Sequence, residues 1–310
     1  MIRYFITEKR ELKELSEFRE KSWVYVVSPD SSDIEVLSKF GIDEDFVWDA
    51  LDPEERARFE QDEDIIYVIA KVPYYDEKDP EVPYKTLPIG VAITPTAFVT
   101  ICLNDNEIFK DFFQNKIKDF STKKRNRFLL RIFEVAVIYY LRYLKEIRKR
   151  SNDIEKELHR STRNKELVAM LNLEKSLVYF TTSLRSNELM FEKLKMASIL
   201  TLYEDDEDLF EDIIIDNRQA IEMAKIYSDI LSGMMDAFAS VISNNLNVVM
   251  KVLTIVTLVL QIPMLTASMW GMNIKLPLSG NDYAFAITMG ISAVAAVIFG
   301  FTLFKIKWFK

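Results

Sequence analysis

The strongest constraint on this chain lies near its C-terminal end, where two long apolar stretches flank a short polar gap. From Val248 to Phe304 the only charged side chains are Lys251, Lys275 and Asp282. The first stretch, VVMKVLTIVTLVLQIPMLTASMW (248–270), reaches roughly 34 Å as a helix, enough for a hydrocarbon core of about 30 Å. The second, AFAITMGISAVAAVIFGFTLF (284–304), carries no charge at all. A soluble fold would need a large apolar shell to bury such a hairpin, and the remaining sequence is too polar to provide one. Two membrane-spanning helices are therefore expected over 248–270 and 284–304.

Orientation follows from the basic residues. KIKWFK (305–310) places three lysines and an interfacial tryptophan, Trp308, after the second span. The opening MIRYFITEKRELKEL has no apolar core of the secretory kind. Both termini are expected in the cytoplasm, with residues 271–283 outside and Trp270 and Tyr283 as aromatic belt residues. The net charge of −8 argues against a nucleic-acid binder. The single cysteine, Cys102, excludes an internal disulfide and any multi-cysteine metal site.

Upstream of the first span, residues 216–263 contain one glycine, Gly233, and no proline before Pro263. This predicts one helix over 204–269, a stalk continuing into the bilayer. One face of it carries Asp236, Ser240, Ser243, Asn247, Met250, Thr254, Thr257, Gln261, Met264 and Ser268. The steps alternate between four and three, the seam of a left-handed supercoil, and every member is polar or a methionine. Small hydroxyls also glue membrane helices together, but Asn247 and Gln261 point to a cavity or a partner. A stripe on a two-helix chain can line a pore only if several copies surround an axis, so a homo-oligomer is expected.

The rest reads as an α/β domain over 1–120 and a helical region over 121–203. Runs such as WVYVV, DIIYVIAKV, PIGVAI and AFVTIC are strand-like, and SSDIEVLSKF reads as a short capped helix. YEDDEDLFEDIIID (203–216) packs eight acids into fourteen residues without a base. Acids suit a helix N-terminus, yet so many like charges repel, and bound cations would relieve them. No nucleophile–base constellation, metal-ligand cluster or Gly-rich phosphate loop marks an enzyme.

ISNNLNVVMKVLTIVTLVLQIPMLTASMWGMN (242–273), followed by one more span and a basic tail, resembles the CorA family of divalent-cation transporters. Gly271-Met272-Asn273 after an aromatic residue matches that family's signature, and SLVYFTTSLRSNELMFEKL and DALDPEERARFEQDEDIIYVIAKVPYYD extend the likeness upstream. The resemblance implies a pentameric funnel-shaped channel: an α/β cytoplasmic domain, a long α-helical stalk and two C-terminal transmembrane helices. It implies a ring of Asn273 at the outer mouth, shaped by Gly271 and Met272. It also implies a pore lined by Asn247, Met250 and Leu253 or Thr254, with Gln261 and Met264 further out, and a regulatory metal site pairing Asp212 with Asp76 across subunits. The cargo it implies is Mg2+, with Co2+ and Ni2+ as further candidates.

Neutral amide oxygens suit such a cargo, since Mg2+ holds its waters tightly and can be read through them. Inward flow needs no ATP, because a divalent ion gains about 4.6 kcal/mol per 100 mV of inside-negative potential. The loop IKLPLSGNDY departs from the family, having Lys275 and a lone acid where relatives carry an acidic lure. Two other readings stand beside this one: a Zn2+ transporter of the same fold, and a membrane-anchored regulatory or scaffold protein.

Overall fold

The structure is a computed structural model describing residues 1–160, 164–273 and 282–305. The chain divides into two units, Met1–Met235 and Asp236–Lys310.

The first unit opens with β1 (Ile2–Glu8), β2 (Glu11–Leu15) and β3 (Trp23–Val27), followed by α1 (Ser31–Ser38) and α2 (Glu44–Asp49). Next come β4 (Arg58–Asp62), β5 (Ile65–Tyr75), β6 (Tyr84–Ile93), β7 (Phe98–Cys102) and α3 (Glu107–Phe113). The strands form one sheet in the order β2-β1-β3-β7-β6-β5-β4, antiparallel except for the central β3–β7 pair. Parallel neighbours need a covered crossover, and β3 and β7 are buried along most of their length, as such strands must be.

Both sheet faces are occupied. Asp30 caps α1 through a reciprocal capping box, which sets that helix where Ile34 and Leu37 reach the core. With Phe46 and Val47 of α2 and its C-cap Ala50 they cover Val24, Val26, Ile69, Ala92 and Val99. Gly90 of β6 is what lets α2 approach, since a Cβ there would lie 2.5 Å from the Cβ of Ala50. On the other face an aromatic cluster of Trp23, Tyr25, Phe98, Phe109, Phe112 and Phe128 joins the sheet to α3 and to α4 (Arg125–Arg160).

Two more long helices follow, α5 (Asn164–Ala197) and α6 (Glu204–Trp270). Asn187 of α5 clamps the backbone of β5: its Oδ1 accepts from the Lys71 N–H at 2.9 Å, and its Nδ2 donates to the Lys71 carbonyl at 2.7 Å. The first turns of α6 bury Phe210, Ile213, Asn217, Ala220, Ile221 and Ala224, at the three-and-four spacing of a core-facing stripe. Asn217 donates to the Leu184 carbonyl of α5 at 3.0 Å, and Arg218 bridges Glu188 and Glu192.

The second unit contains the C-terminal part of α6 and α7 (Ala284–Lys305). In the most apolar window of each helix only 6% and 17% of residues are buried, so neither is the core helix of a soluble fold. Most of their apolar side chains face nothing else among the described residues and suit hydrocarbon. The two stretches expected to span a membrane fall in the last part of α6 and in α7.

Candidate ion path and metal sites

Within the second unit, α7 takes one face of α6. Ile255 is buried there, and Lys251, Leu258, Val259, Ile262, Thr266 and Trp270 are half-buried. Gly300 permits the close approach: a Cβ on it would lie 3.1 Å from Val259 Cγ2. At the C-terminal end of α6 Trp270 meets Phe285 edge-on, ring centroids 6.2 Å apart. Ile255, Leu258 and Val259 thus cover α7. Val249, Leu253 and Val256 are left exposed.

The polar stripe lies elsewhere. Asp236, Ser240, Ser243, Asn247, Met250, Thr254, Thr257, Gln261, Met264 and Ser268 are all exposed. At about 100° per residue their mean direction is roughly 120° from the face that α7 occupies. Leu253 sits at the stripe's margin, close in azimuth to Thr257 and Met264. α7 therefore uses none of these polar groups, and an apolar solvent could not satisfy them.

Three hydroxyls on this face are already committed as donors. Thr254 Oγ1 donates to the Met250 carbonyl and Thr257 Oγ1 to the Leu253 carbonyl, both at 2.8 Å; Ser240 Oγ donates to the Asp236 carbonyl at 3.0 Å. Each hydroxyl oxygen keeps its lone pairs facing outward, so the stripe presents acceptors. Such a surface suits the water protons of a hydrated cation.

At its C-terminal end α6 closes on Gly271-Met272-Asn273. The Gly271 N–H donates to the carbonyls of Ala267 and Ser268, both at 3.1 Å, and the Met272 N–H to Met269 at 3.2 Å. These bonds satisfy carbonyls that a helix terminus leaves open. Gly271, Met272 and Asn273 are exposed, with Asn273 just past the stripe. The loop with Lys275 and the basic tail with Trp308 lie outside the described residues.

The two acids expected at a regulatory metal site fall in different settings of the first unit. Asp76 ends the β5–β6 hairpin: its N–H donates to the Pro83 carbonyl at 2.8 Å, and its Oδ1 accepts from the Lys78 N–H at 3.1 Å. Lys85 Nζ lies 3.3 Å from its Oδ2 and 2.6 Å from Asp79 Oδ2. The hydrogen bond from Lys85, then the Val82 N–H, hold the Asp79 carboxyl down at about 2. Asp212 is exposed on α6 and lines a 320 Å3 cavity with Glu134 and Asp216. Among the described residues no hydrogen bond or ion pair joins Asp76 to Asp212, and no three His, Cys, Asp or Glu side chains form a metal-binding group.

Sequence reasoning missed Lys85 and Asp79 as neighbours of Asp76, because hairpin register and not sequence pattern brings them together. It also read the acidic run as unrelieved. Asp206 is in fact buried and ion-paired to Arg127 of α4 at 3.2 Å, and Glu211 lies 3.6 Å from Lys195 of α5.

The family model of the CorA-like Mg2+ transporter protein matches residues 19–305. The chain belongs to the CorA family. It is a membrane transporter of divalent cations with two candidate spans, and not an enzyme. The cobalt/magnesium transport protein CorA of Methanocaldococcus jannaschii is 29% identical over 296 residues, covering 92% of this chain and 90% of the relative. The protein of the same name from Thermotoga maritima is 23% identical, covering 99% and 91%. Among solved structures, the complete CorA magnesium transporter of M. jannaschii superposes with a TM-score of 0.82 at 25% identity, over 97% of this chain and 96% of that one. Full-length CmaX shares the fold at 14% identity, with a TM-score of 0.68 over 98% and 97% of the two chains.

Proposed function

We propose that this CorA protein carries hydrated Mg2+ inward through a pore built from several copies of α6, five by the family resemblance, with both termini in the cytoplasm. The observation that carries this reading is the exposed acceptor stripe, which lies away from α7 and ends at Asn273. Asp236 and Asn247 stand at the cytoplasmic entry. Met250, Leu253, Thr254, Thr257, Gln261, Met264 and Ser268 line the span. Gly271, Met272 and Asn273 form the outer filter. A ring of neutral amide oxygens accepts hydrogen bonds from the ion's waters without stripping them, and it releases the ion more readily than carboxylates would. Leu253 adds a hydrophobic constriction that closes by dewetting. The membrane potential supplies the driving force.

Co2+ and Ni2+, with similarly hydrated shells, are further cargo; two relatives are named as cobalt/magnesium transport proteins. Cytoplasmic Mg2+ regulates the pore by bridging Asp212 of one copy to Asp76 of the next. Its loss at low internal magnesium loosens the subunits.

The test is flux of Mg2+, Co2+ and Zn2+ into liposomes containing the full-length protein or Asn273→Ala. The account expects Mg2+ flux in the wild type and its loss or loss of selectivity in the variant. Selective Mg2+ flux through Asn273→Ala would remove the filter, and preferential Zn2+ flux in the wild type would reassign the cargo.

A further inference from the structure

Gln261 stands apart from its neighbours. It lies in the most apolar part of α6, is exposed, and its amide has no hydrogen-bond partner among the described residues. At 1.5 Å per residue it sits about 14 Å inside Trp270 and about 20 Å from Val248. An unpaired primary amide at that depth costs several kcal/mol in hydrocarbon, so it must meet water, an ion's hydration shell or another helix.

The surroundings favour the hydrated ion over helix-to-helix glue. Glue positions in membranes are flanked by small residues that bring backbones together. One turn from Gln261, at the i+3 and i+4 positions, Met264 and Leu265 are exposed bulky side chains that hold neighbouring helices apart. The hydroxyls of Thr257 and Thr254, one and two turns toward the N-terminus, have given their protons to the helix backbone. The amide oxygen therefore continues a column of acceptors, while the amide N–H2 can donate to the next copy and orient the ring.

We infer that the Gln261 amides form a second ion-residence tier inside the membrane, separate from the Asn273 ring, where the still-hydrated divalent cation pauses after passing Met264 and before it meets Leu253 and Met250. This rests on the pore reading given above. The tier differs from the outer one in a measurable way. Asn273 lies at the mouth and feels little of the transmembrane field, whereas Gln261 lies roughly two-fifths of the way in. A divalent ion reaching it from outside moves through roughly two-fifths of the potential, which corresponds to about a twentyfold change in occupancy per 100 mV.

The experiment measures the external Mg2+ concentration that half-saturates flux, at 0 and −100 mV, for the full-length protein in voltage-clamped liposomes. The wild type is expected to show a fall of about twentyfold on going to −100 mV. Gln261→Leu should lose most of that dependence, Gln261→Asn should retain it, and Gln261→Glu should keep it while saturating at much lower Mg2+. A voltage-insensitive wild type, or a Gln261→Leu protein with the full wild-type dependence, overturns the tier. If Gln261→Leu does not assemble, Gln261→Glu decides: tightening with unchanged voltage dependence supports the tier, and wild-type saturation refutes it. Failure of the pore reading looks different, because then Asn273→Ala leaves flux unaltered whatever Gln261 variants do.

Discussion

Replacing Lys85 by methionine should tighten the regulatory Mg2+ site proposed at Asp76, and the structure sets the size of the effect. Lys85 Nζ lies 3.3 Å from Asp76 Oδ2, with the two side chains 32% and 28% exposed. A pair so close to water contributes about 0.2–1 kcal/mol. A cation arriving at Asp76 must displace that ammonium, so the same energy is subtracted from its binding. Methionine keeps most of the apolar stem while removing the charge. The midpoint of Mg2+ protection against proteolysis should then fall by up to about fivefold in the full-length protein. Asp79, released from its 2.6 Å partner, adds a second oxygen donor beside the ion. Asp76→Ala in the same background should erase the gain, as coupled sites do in a double-mutant cycle. A midpoint unchanged or raised by Lys85→Met would refute the idea that Lys85 competes for this carboxylate, and an undiminished gain with Asp76→Ala would refute Asp76 as the ligand.

Two further outcomes concern the first unit. Asn187→Ala leaves the buried Lys71 N–H without its acceptor, while the Tyr140 hydroxyl still donates to the Lys71 carbonyl at 3.1 Å. The loss should be about 1–3 kcal/mol, read as a lowered thermal unfolding midpoint, and an unshifted midpoint contradicts it. Asp79 has a folded pKa pressed down to about 2 by Lys85. Its contribution to stability is therefore complete above the ordinary carboxylate value of about 4 and lost as pH falls through about 2. The stability gap between wild type and Asp79→Asn should accordingly close between those pH values, and a gap that stays constant contradicts the assignment.

Much of the fold is legible because some signals depend on local chemistry alone. Apolar windows long enough to span a bilayer mark the end of α6 and α7, and β-branched and aromatic runs mark β3, β5, β6 and β7. β2 and β4, ELKEL and RFEQD, are charged edge strands, and only pairing to β1 and β5 makes them strands. The stripe on α6 was legible because helix geometry alone fixes which residues share a face. The face taken by α7 was not, since it depends on Gly300 meeting Val259 across two separate segments. Within YEDDED only Asp206 is buried, an asymmetry set by the distant Arg127 that no count of acids reveals.

The central claim is that the polar stripe, and not the apolar faces beside it, borders the path of the ion. The sole native cysteine, Cys102, is buried, so introduced thiols can be read without interference. Thr257→Cys and Ser268→Cys should react with a positively charged, water-borne methanethiosulfonate reagent and lose divalent-cation flux as they do. Val249→Cys and Val256→Cys, also exposed on α6 but off the stripe, should keep their flux under the same treatment. Block at the valine positions with the stripe positions unaffected would place the path on another face of the helix and contradict the account.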